Sequence, residues 1–262
     1  EIRTSFNLLR YSVVDMNLNG GLGAVSQKNK ILLQGTEMVR TKMQACRHAN
    51  GYDWWLLKQT EYGPNTITRF LVTSDSIYGP YVQSFSEPNW GDYDFTGQIA
   101  FSKDGKRFAS VQGKRESKLF LADFDRCSGE LSNPKVINIP IDSTTIPNPL
   151  PWYVMDSLVS GVAFSPNGQF IYIPRRFNIY QYEHGEPDSS LAWVRIKHGE
   201  DTTYAKFQYY HQLYPGPDGR LYIGNYGGTA KQFSVIDYPN LKGMACGFCR
   251  KCFRVETALG GL

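Results

Sequence analysis

The chain has 262 residues, and its 28 basic and 24 acidic side chains leave a formal net charge of +4, too small and too interspersed to indicate nucleic acid or an anionic membrane. Aromatic residues make up 14% of it, with 17 tyrosines and 25 glycines, a mixture that favours pleated strands joined by tight turns over helices. No run approaches the roughly 20 apolar residues of a membrane span, and five cysteines are an odd number that cannot all pair.

In chain order, residues 1–10 run straight into a strand over Phe6–Asp15, without a basic-then-apolar signal pattern and without an initial Met. The chain therefore reads as a mature or trimmed piece. An outer strand is predicted at Lys30–Leu33. Four hairpins then follow, each an apolar run, a turn ending in glycine and a second apolar run: Gln44–Leu57, Gln98–Val111, Gly161–Ile173 and Gln212–Gly224. In the third of these the turn is Asn167-Gly168, two residues that both tolerate the positive φ of a tight hairpin. The turn glycines Gly51, Gly105, Gly168 and Gly219 are 54, 63 and 51 residues apart, about what four strands and their turns consume in a propeller blade.

Third strands are predicted at Thr66–Asp75, Lys118–Asp125, Asn178–Glu183 and Lys231–Asp237, and outer strands at Tyr81–Ser84, Lys135–Ile139, Trp193–Lys197 and Phe253–Glu256. The expected architecture is an all-β propeller of four-stranded blades in one domain, with a half-blade over 1–40 and blades over 41–90, 91–142, 158–199 and 208–258. Inner strands for the half-blade are missing from the pattern, so the expectation is of an incomplete propeller.

The phrases Ala100-Phe-Ser-Lys-Asp-Gly-Lys-Arg107 and Ala163-Phe-Ser-Pro-Asn-Gly-Gln-Phe170 resemble the WD40-like, TolB-type propeller repeat. With His48–Trp55, Asp123–Leu131, Gly161–Ser165, Gly216–Tyr222 and Met244–Cys246, nearly the whole chain is similar to a group of secreted propeller proteins of Bacteroidetes-type bacteria. The resemblance implies a propeller fold and a secreted or cell-surface setting. It supplies no catalytic residues.

Ligands of propellers usually bind on the face where outer strands lead into the next inner strand and second strands into third. The loops expected there carry Trp90, Asp92, Tyr93 and Asp94, then Trp152, Tyr153 and Asp156, then Asp201 and Tyr204. Arg115, Arg175, Arg176 and Tyr226 join them from the second-to-third connections. Aromatic faces among carboxylates and guanidinium groups suit a glycan or peptide, although the same aromatics would also serve as plugs that hold long loops down. Gln44, Gln98 and Gln212 each stand seven residues before a turn glycine, with Gly161 as the fourth member. They are candidates to line the central channel or to cap strand entrances through backbone hydrogen bonds.

Cys246, Cys249 and Cys252 have soft-metal spacing but no fourth ligand nearby, so no metal is expected and a disulfide between two of them is the leading expectation, with a metal site the weaker candidate. His48 replaces the serine of two other turns, which local hydrogen bonding accounts for. No nucleophile elbow, zinc helix or phosphate loop occurs, and no cofactor is expected. The leading expectation is a non-enzymatic propeller that binds a glycan, peptide or protein partner. A hydrolase or lyase acting on polysaccharide or a lactone through Asp92, Asp94, Asp156 and Asp201 is the alternative, and a structural spacer in an adhesin is a third.

Overall fold

A computed structural model describes residues 6–60, 65–86, 97–112, 117–140, 159–175, 178–196, 210–225 and 231–255. These residues form four antiparallel sheets arranged as the blades of a β-propeller. Sheet one contains β1 (Phe6–Asp15), β2 (Ala24–Arg47), β3 (Trp54–Thr60), β4 (Asn65–Val72) and β5 (Ile77–Phe85). Sheet two contains β6 (Ile99–Phe101), β7 (Arg107–Gln112), β8 (Lys118–Phe124) and β9 (Leu131–Asn138). Sheet three follows with β10 (Ala163–Phe164), β11 (Phe170–Arg175), β12 (Asn178–Glu183) and β13 (Trp193–Ile196), and sheet four with β14 (Tyr210–Pro215), β15 (Leu221–Asn225), β16 (Gln232–Ile236) and β17 (Phe248–Arg254). Strand order within each sheet is the sequence order, the meander of a propeller blade.

The four hairpin turns share one chemistry. Gly51, Gly105, Gly168 and Gly219 have φ between 70° and 82°, and each donates its N–H to the carbonyl three residues back, on His48, Ser102, Ser165 and Gly216. The turns are therefore four residues long with the positive φ on glycine alone. Asn167 is not among the residues of positive φ, which corrects the two-residue Asn-Gly turn expected from sequence, and its Oδ1 accepts from Gln169 N (3.0 Å) and from the Ser165 hydroxyl (2.7 Å). Ser102 and Ser165 also accept from Arg107 N and Phe170 N, and His48 does comparable work by accepting from Asn50 N through Nδ1 at 3.0 Å.

Blades stack through three apolar cores. Trp55, Leu57 and Ile67 meet Phe108, Phe120 and Phe124 between sheets one and two. Ala109, Val111 and Leu121 meet Phe164, Ile171 and Ile173 between sheets two and three. Tyr172, Ile179 and Ile196 meet Leu213, Ile223 and Ile236 between sheets three and four. Both faces of the middle sheets are covered, so their strands are apolar on both sides and do not alternate. Burial of each large side chain contributes about 1.5–3 kcal/mol.

The half-blade differs from its predicted form. β2 runs unbroken for 24 residues, so the expected outer strand at Lys30–Leu33 continues into the inner strand of the next blade, and Met38 pairs with both Phe6 and Thr60. Among the described residues β1 pairs only with β2, and Val14, Met16, Leu22, Val25 and Ile31 are all more than half exposed. The last outer strand also starts earlier than predicted, at Phe248.

Candidate functional site

Inner strands and first turns from the successive blades converge on one cavity of about 360 Å³, which Gln44, Gln98, Lys103, Phe101, Val162, Ser165, Pro166, Leu213, Tyr214, Pro215 and Pro217 help to line. It opens among the first-to-second strand turns. Its inner end is closed by Gln98, whose amide reaches across the axis: Nε2 donates to Leu213 O at 2.8 Å, while Oε1 accepts from Leu213 N at 3.2 Å and from Val162 N at 3.3 Å. Gln98 thus joins three blades through the backbones of two of them. Gly161 takes the matching place in sheet three because no side chain fits: a Cβ there would stand 2.5 Å from His211 O and 2.8 Å from Leu213 Cδ1.

The other members of the glutamine column do different things. Gln44 is exposed on the cavity wall, whereas Gln212 lies beside it and accepts from the Tyr214 hydroxyl at 2.7 Å. That hydrogen bond orients a tyrosine ring that remains 51% exposed at the mouth. Lys103, Pro166 and Pro217 occupy one equivalent turn position in three blades, immediately after Ser102, Ser165 and Gly216. Tyr214, Lys103 and these prolines were not singled out from sequence. The repeat alignment that placed the turn glycines contains them, but a single blade gives no hint that they converge.

A second, more open groove of about 580 Å³ runs between the turns of sheets one and two, lined by Ala49, Asp104, Lys106, Arg107, Asp125 and Arg126 among others. Several of its charged groups are engaged within the fold. Asp104 is held below the usual carboxylate range: burial opposes ionisation, but hydrogen bonds from the Ser102 hydroxyl and Lys106 N, with the Arg107 and Lys106 charges, outweigh it. Asp125 is lowered by Cys127 N and the Ser128 hydroxyl. Arg126 donates to Arg47 O and His48 O across the blade boundary.

Of the ligand-binding candidates, Arg175 is described, and it lies inside the protein at 1% exposure. Its Nη1 donates to Pro140 O at 2.8 Å and Ile139 O at 3.3 Å, so this guanidinium ties the exit of sheet two to sheet three. Trp90, Asp92, Tyr93, Asp94, Arg115, Trp152, Tyr153, Asp156, Arg176, Asp201, Tyr204 and Tyr226 lie outside the described residues. Cys249 and Cys252 form a disulfide, while Cys246 is a buried free thiol whose pKa burial raises, so the three do not act as one ligand set. No group of metal-ligating side chains occurs among the described residues.

No protein-family model and no curated protein matches the sequence. Solved structures match the fold. They include 6-phosphogluconolactonase-like proteins of Bacteroides fragilis (12% identity, TM-score 0.55, 94% of this chain and 65% of that one) and Bacteroides uniformis (13%, 0.50, 88% and 62%). A Lactobacillus plantarum protein matches with 12% identity and a TM-score of 0.52 over 87% of this chain and 60% of its own. The chain thus spans between 60% and 65% of the length of these three structures, and at such identities the likeness concerns the β-propeller fold alone.

Proposed function

We propose that this propeller binds a glycan, and that the axial cavity on its turn face receives it. The observation that carries this reading is the make-up of the cavity wall. It offers the exposed ring of Tyr214, the faces of Pro166, Pro215 and Pro217, the ammonium of Lys103 and the amide of Gln44, and among the described residues none that lines it is Asp, Glu, His or Cys. Sugar rings stack on such faces and exchange hydrogen bonds with amides, whereas glycoside hydrolysis by the usual route needs two carboxyl groups across the scissile bond. The loop face with Trp90 and Trp152 belongs to the same proposal as a second contact surface, and so does a secreted or surface setting, which rests on the resemblance of the repeats.

The test is a glycan array probed with the wild-type chain, Tyr214→Ala, Lys103→Ala and the Trp90→Ala/Trp152→Ala double variant. Loss of signal in the first two variants supports the cavity, and loss in the last alone moves the site to the loop face. Peptide binding without glycan binding overturns the ligand class.

A second reading, lactone hydrolysis, draws support from the 6-phosphogluconolactonase-like names of two structures sharing the fold. It would use Asp92, Asp94, Asp156 and Asp201. Lactone opening followed by acid release would exceed the spontaneous rate and fall on Asp→Asn substitution at these positions.

A further inference from the structure

The outer strand of sheet four carries a built irregularity. Val235 pairs with Cys249 and Phe233 with Phe253, so residues 250–252 stand opposite Ser234 alone and two residues are extra on β17. Lys251 turns through φ 55° at the apex, and its N–H donates to the hydroxyl of the fully buried Ser234 at 3.1 Å. The Cys249–Cys252 disulfide closes the mouth of this bulge, with Cα atoms 5.8 Å apart. Cys252 is exposed, Cys249 half-buried, and the two residues between them are Arg250 and Lys251.

Stabilisation by loop closure grows with loop length, so a bridge over two intervening residues gives the fold among the least a disulfide can. Accessibility and flanking cations, by contrast, are what make such a bridge exchange with thiols, because the departing sulfur leaves as a thiolate. The remaining cysteines do not share these features together: Cys46 and Cys246 are buried, and Cys127 is exposed and unpaired with another sulfur.

We propose that Cys249–Cys252 is a thiol–disulfide exchange site that a small thiol such as glutathione opens in the folded protein. The incoming thiolate attacks the exposed Cys252 Sγ and forms a mixed disulfide as the Cys249–Cys252 bond breaks. The electron pair leaves on Cys249 as a thiolate, beside the Arg250 and Lys251 charges. A second thiol then attacks the reagent's sulfur in the mixed disulfide, releasing Cys252 as a thiolate and the reagent as its own disulfide. Both cysteine thiolates take up the protons given by the two reagent thiols, so two thiols are oxidised as one protein disulfide is reduced. Once opened, the bulge keeps its main-chain pairing and the Lys251–Ser234 contact.

The oxidised chain would be equilibrated at stepped ratios of reduced to oxidised glutathione, acid-quenched, alkylated and mapped by peptide mass spectrometry, with tryptophan fluorescence reporting the fold. The expected result is joint labelling of Cys249 and Cys252 while the fluorescence stays native and Cys46 and Cys246 stay unlabelled, with transient glutathione on Cys252. Replacing both cations (Arg250→Gln with Lys251→Gln) slows opening by about threefold or more. A bridge that persists until denaturant unfolds the chain, labelling of both cysteines without reductant, or an unchanged rate in the double variant overturns the proposal.

Discussion

Gln98 shows how one side chain settles the centre of the molecule. Its amide satisfies two N–H groups and one carbonyl on the backbones of two other blades, and no apolar residue of the same length can replace that. Gln98→Leu leaves those groups without their partner and is expected to cost about 2–4 kcal/mol, read as a lower urea midpoint at unchanged slope. A midpoint within error of the wild type would show that the axis is held by stacking alone. Two partly buried histidines, His184 and His211, contribute to the pH dependence. His211 is pushed below the ordinary imidazole value by burial, and His184 by burial and then by the Arg107 charge. A lowered folded-state pKa means that the unfolded chain takes up protons first as pH falls through about 6.5, so the histidine contribution favours folding above that pH and is lost below it. The urea midpoint should therefore drop between pH 7.5 and 5.5, and His211→Gln should shrink the drop. Asp218, lowered to about 2 by the Tyr222 hydroxyl and then Arg220, acts only at more acid pH. A midpoint that rises on acidification to 5.5 contradicts this assignment.

At the scale of elements, the turns were legible and the strand ends less so. A positive φ is a local demand that glycine meets, so four glycines at regular spacing located four hairpins correctly. Where the chain goes after a strand depends on partners that lie far away in sequence. β2 continues past Leu33 because β1 and β3 both pair with it at Met38, a circumstance no window around Leu33 contains. β17 was predicted late because its two-residue bulge interrupts the pattern between Phe248 and Phe253. Glycines at the turn and in the inner strand should respond differently to substitution. At Gly168, with φ 74° and no atom nearer than 3.6 Å to an added Cβ, alanine is strained but has room and should cost about 1 kcal/mol. At Gly161 the obstacle is the backbone of the next blade, and alanine should cost about 1–3 kcal/mol and more than at Gly168. Equal losses, or the reverse order in melting temperature, would remove close blade approach as the reason for Gly161.

For the whole molecule, the fold follows from stacking: each blade is apolar on both faces where it has two neighbours, and three cores join the four sheets in sequence. Composition and the repeat were enough to indicate this architecture. The candidate site was not legible in the same way, since Tyr214, Lys103, Pro166 and Pro217 are unremarkable within their own blades and form a surface only when the turns meet around the axis. Arg175 illustrates the converse, a charged residue expected in a connection but standing at the end of β11 and buried. The most direct test of the central claim is calorimetric titration of a glycan selected on the array into the wild-type chain and into Tyr214→Ala. The account predicts saturable one-site binding that weakens at least about tenfold, roughly 1.4 kcal/mol, in Tyr214→Ala with the melting temperature little changed. Equal affinity in the two proteins would contradict it.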